Sequence, residues 1–101
     1  MTKLDLTQML QEEWARELGF FGRLRDGHFD QEGHRRVAEL LGASLIADEV
    51  LLREFVAVTW YIPIFMCWQR ERCMERGANA SEYDRAANQL TALVEKLLGV
   101  P

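Results

Sequence analysis

The sequence predicts an all-α protein: a single-domain bundle of four to five helices over residues 1–101, built around a long central helix kinked at Pro63. Three observations carry this expectation. Apolar residues recur at three- and four-residue steps along most of the chain, which places them on helical stripes. No segment alternates polar and apolar residues for long enough to read as a strand. Asp and Ser residues stand where such helices would begin, and glycines where they would end. The composition agrees, since 49% hydrophobic with 28% charged residues fits a folded globule and excludes a disordered chain. At 101 residues one domain can bury a real core, although with a small margin over unfolding.

In the first helix, Leu6, Met9, Leu10, Trp14, Leu18 and Phe21 share one stripe. Asp5 is its expected cap, with Gln8 three residues on as in a capping box. Gly19 and Gly22 make its end ragged, and "RDGHFD" reads as a turn. A second helix is expected after Asp30, carrying Val37, Leu40 and Leu41 and stopping at Gly42. Ser44 or Asp48 then caps a third. The last helix begins around Ser81 and Asp84 and keeps Tyr83, Ala86, Ala87, Leu90, Leu93, Val94 and Leu97 on one seam, until Gly99 and Pro101 stop it.

The middle of the chain is harder to place. Residues 55 to 68, "FVAVTWYIPIFMCW", hold no charge. At 100° per residue, Leu52, Phe55, Val56, Thr59, Ile62, Met66, Cys67 and Met74 fall on one side. The opposite side is charged at both ends, with Arg53 and Glu54, then Glu71, Arg72 and Glu75. Between them it carries Ala57, Trp60, Tyr61, Ile64 and Trp68. Pro63 lacks the N–H that would bond to the Thr59 carbonyl. A kinked helix from about 47 to 77 is expected, because the stripe continues in phase across the proline; the alternative is two helices meeting at Pro63.

Several function classes drop out. Net charge is −4, and the five arginines from Arg16 to Arg36 are offset by Glu17, Asp26, Asp30 and Glu32, so no uncompensated basic stripe exists for nucleic acid or an anionic membrane surface. As a helix the uncharged segment reaches only about 21 Å. A bilayer core needs about 30 Å, so no membrane span is expected. "MTKLDLTQMLQEEW" shows no signal-peptide pattern, and two cysteines without one suggest thiols in a reducing cytoplasm.

Motifs with specific chemistry are also missing. "DGHFDQEGH" alternates carboxylates and imidazoles, but it lacks the glycine and glutamate positions of a calcium loop and the histidine spacing of a zinc-protease helix. "RRVAELLGASLIADEVL" has helix-turn-helix spacing, yet Asp48 and Glu49 would face phosphates. Cys73, among Arg70, Arg72 and Arg76, is expected to be the more reactive thiol, and Cys67 to behave as a small hydrophobe. No phosphate cradle, nucleophile elbow or cofactor motif appears, so no cofactor, metal ligand or catalytic residue is assigned.

A helix apolar all round must be covered all round, and the remaining helices offer one seam each. Trp60, Tyr61, Ile64 and Trp68 are therefore assigned to a protein interface, with a homodimer as the expected assembly; the alternatives are a fully intrachain core and, third, a pocket for an apolar ligand. The resulting expectation is a small cytoplasmic protein of bacterial style that acts by protein–protein binding, as an adaptor, inhibitor or immunity-type protein. Its acidity suits a partner with a basic surface. The alternative is a helical dimeric enzyme or a metal- or ligand-binding protein with its site near His28, His34 and Cys73.

Overall fold

The structure, a computed structural model, describes residues 2–15, 17–45 and 53–100. Among these residues the only regular elements are helices: α1 (Lys3–Glu13), α2 (Phe20–Arg25), α3 (Gln31–Leu45), α4 (Arg53–Thr59), α5 (Ile62–Glu75) and α6 (Ala80–Leu98). Only Trp60 and Tyr61 separate α4 from α5. The two together form a 23-residue rod bent by 27°, and counted as one they leave five helices.

Each boundary has a chemical cause. Thr2, not Asp5, caps α1: its Oγ1 accepts from the Asp5 N–H and the Asp5 carboxylate accepts from the Thr2 N–H, both at 3.1 Å. These bonds hold the Asp5 carboxyl below its ordinary range. The expected stripe from Leu6 to Phe21 is broken, because α1 ends at Glu13, leaving Leu18 exposed and Phe21 in a separate helix. Gly27 follows α2 at φ +88°, and its N–H and that of His28 bond back to the Leu24 and Arg23 carbonyls, which gives the turn expected at "RDGHFD".

Gly42 does not stop α3. It lies inside the helix, which runs on through Ser44 to Leu45, with the Ser44 hydroxyl donating to the Leu40 carbonyl. Asp48, the other expected cap, lies outside the described residues. Asn79 caps α6 by accepting from the Glu82 N–H, two residues ahead of the expected Ser81 start. Gly99, at φ +86°, ends it.

Among the described residues a single helix kinked at Pro63 is not shown, since the break falls at Trp60 and Tyr61. Residues 46–52 lie outside the described residues, and Pro63 stands in the first turn of α5, where a missing N–H breaks no helical bond. The Thr59 hydroxyl turns back onto the Phe55 and Val56 carbonyls at the end of α4.

Nor is that rod the centre of the molecule. The short α2 is, wedged between α1, α3 and α5 with Phe20, Phe21 and Leu24 wholly buried. Gly33 lets α3 approach this closely, since a Cβ there would stand 3.0 Å from the Phe20 ring. Around this plug α3 packs on α6 and α1, α5 packs on α6, and α4 packs on α1. The expected α6 seam is the buried one, with Tyr83, Ala86, Leu90 and Val94 at its floor.

The molecule measures 40 × 30 × 19 Å. Its short dimension is about two helix diameters, so each helix must turn one face outward. That geometry decides the fate of the α4–α5 rod.

Candidate protein interface

One side of the rod faces the core. Phe55, Thr59, Ile62, Met66 and Cys73 are buried, and at 100° per residue they cluster on a single flank. On the opposite flank Trp60 is 52% exposed, Ile64 39% and Trp68 66%, while Ala57 is also open to solvent. These three large side chains stand at four-residue spacing and form one apolar ridge. Of the residues assigned to an interface from the sequence, Tyr61 alone turns partly inward.

Tyr61 joins that ridge to the interior. Its ring lies 5.3 Å from Trp60 and 5.9 Å from Trp68 on the outside, and 6.0 Å from Phe65 and 6.2 Å from Trp14 on the inside. Trp14 stacks on Phe21 at 4.3 Å and donates its indole N–H to the Val58 carbonyl at 3.0 Å. The Arg25 guanidinium sits over the Phe65 ring, 5.3 Å from its centroid. Trp14, Arg25, Val58, Trp60 and Tyr61 border a hollow of about 440 Å³ beside the ridge. Continuous ring contacts thus run from the buried α2 to the surface tryptophans. Sequence periodicity assigned Trp14 only to a stripe; nothing local marks it as the link between α1 and α4.

The thiols reverse their expected roles. Cys67 is exposed on the rod, whereas Cys73 is buried with its Sγ 3.8 Å from the Leu24 carbonyl oxygen. Burial pushes the Cys73 thiol up, and Arg72 offsets this only in part. Arginines adjacent in sequence point elsewhere: Arg70 forms a bidentate pair with Asp84, at 2.7 and 3.0 Å, and Arg72 donates to the Arg25 carbonyl.

The histidines are separately engaged. His34 Nε2 lies 2.6 Å from Gln89 Oε1, linking α3 to α6, and His28 is exposed in the turn after α2. Among the described residues, no three His, Cys, Asp or Glu side chains are grouped to hold a metal ion. No helix of the described residues is long and apolar enough to cross a membrane.

A second hollow, of about 700 Å³, lies between α1 and α3, where Leu6, Met9 and Leu40 border the Glu13–Arg36 pair. Glu13 is nearly buried, and its two oxygens accept from the Phe20 N–H and from Arg36 at 2.9–3.1 Å. Those bonds brace the start of α2.

Comparison with protein-family models, curated proteins and solved structures finds no match to this chain.

Proposed function

We propose that this chain is a small helical protein-binding domain that works as a homodimer. Trp60, Ile64 and Trp68 form the shared face, with Tyr61 at its edge. The reading is carried by one observation: three large apolar side chains in a continuous row, each more than a third exposed. Such rows on a lone protein in water favour association, and aromatic residues are what interface centres select. An acidic surface, from a net charge of −4, would remain outside the dimer for a partner protein with a basic surface. Cytoplasmic residence belongs to the same proposal, since Cys67 and Cys73 are both free thiols.

Sedimentation at micromolar concentration tests the shared face. Dimers are expected for the natural chain, and soluble folded monomers for Trp60→Glu and Trp68→Glu. A monomeric natural chain at every concentration, with its tryptophans already protected from quenchers, would overturn the reading.

A further inference from the structure

Resting on the homodimer reading, we infer that two copies pair their α4–α5 rods antiparallel across a two-fold axis at Ile64, and that ion pairs between Arg53 of one copy and Glu75 of the other set this direction.

The exposed flank of the rod is a palindrome in spacing. Outward from Ile64 it meets Trp60, Ala57 and Arg53 in one direction and Trp68, Glu71 and Glu75 in the other, at steps of four, three and four residues both ways. All seven side chains are exposed, and at 100° per residue they fall within about 80° of arc. A two-fold contact brings a surface against itself, so the residue on the axis meets its own copy. With Ile64 there, Trp60 of each chain lies against Trp68 of the other. The small Ala57 leaves room for Glu71.

At the ends the charges are opposite. Arg53 falls beside Glu75 of the second copy, and this happens twice. Neither Arg53 nor Glu75 has an ion-pair partner among the described residues, unlike Arg23, Arg35, Arg36 and Arg70, which all do. Parallel pairing would set Arg53 against Arg53 and Glu75 against Glu75, which repel. The antiparallel arrangement also requires a shallow crossing near 20°, the class found in left-handed coiled coils and most four-helix bundles, so that the rod ends stay within side-chain reach.

Two measurements test the direction separately from dimerisation. Arg53→Glu or Glu75→Arg alone turns two attractions into two repulsions and should weaken the dimer on the order of tenfold. An equimolar mixture of the two variants should recover near-natural affinity, because each mixed dimer restores both pairs. Spin labels on Glu54→Cys in a Cys67→Ser background should lie about 30 Å apart along the rods, from about 20 residue steps at about 1.5 Å each. Dimers with labels closer than about 20 Å, or without rescue on mixing, would overturn the antiparallel pairing and leave dimerisation standing. A chain monomeric throughout would overturn both.

Discussion

The Tyr83 hydroxyl donates to the Met66 carbonyl at 2.6 Å, inside the seam between α6 and α5. Tyr83 is 1% exposed, so its oxygen has no water to fall back on. Tyr83→Phe should cost about 1 kcal/mol, the net worth of one hydrogen bond. Tyr83→Ala should cost about 4 kcal/mol, because a cavity is added. Urea unfolding should show the first change as a lower midpoint with an unchanged slope.

The same seam sets a pH dependence. Burial pushes the Tyr83 phenol above its ordinary value of 10.0 and the Cys73 thiol above 9.0. Both groups are neutral when protonated, so the folded state holds their protons longer than the unfolded chain does. Stability from these groups is therefore full below about pH 9 and falls as pH rises beyond it. Thermal unfolding from pH 7 to 11 should show this decline, and Tyr83→Phe should flatten its upper part.

Two glycines should respond oppositely to alanine. A Cβ on Gly19 would collide with the Glu13 carbonyl oxygen, a backbone atom that cannot swing aside. Gly19→Ala should destabilise by roughly 2 kcal/mol or more, in the range of overpacking. Gly42 lies within α3 with nothing among the described residues inside 4 Å of such a Cβ, so Gly42→Ala should stabilise by roughly 0.5–1 kcal/mol. Melting temperatures of the pair decide both signs.

Glu13 offers a graded series. Glu13→Ala leaves the Phe20 N–H and the Arg36 guanidinium without their acceptor and should cost about 2–3 kcal/mol. Glu13→Gln keeps one carbonyl oxygen for Phe20 and should cost less. Calorimetry of both variants at pH 7 separates the two losses.

In the folded protein one thiol should react promptly with an aromatic disulfide reagent and the second only in denaturant. Cys67→Ser should remove the fast phase, and Cys73→Ser the slow one, in keeping with one exposed and one buried side chain.

Where a single helix face decides burial, the residues are readable from their order: the α6 seam and the inward flank at Phe55, Thr59, Ile62 and Met66 both follow from spacing. Cap assignments slipped where two candidates competed within one turn, Thr2 with Asp5 and Asn79 with Ser81, because either residue type can accept the free N–H groups. Gly42 misled because a glycine stops a helix only when its backbone takes a positive φ, a choice made by packing and not by composition. Cys73 misled more. Its arginine neighbours in sequence turn to other partners, Arg70 to Asp84 and Arg72 to the Arg25 carbonyl, and Leu24, 49 residues away, is what it meets. The importance of α2 was hidden for the same reason, since six residues are too few for periodicity to register.

Tyr61 touches tryptophans on both sides of the protein's skin, and one of them, Trp14, ties α1 to α4. Whatever settles on the outer rings therefore presses on the same stack that keeps the chain folded. If a partner docks on this ridge, as proposed, exchanging it would also retune the chain's own heat tolerance, and melting curves recorded with and without that partner would register both.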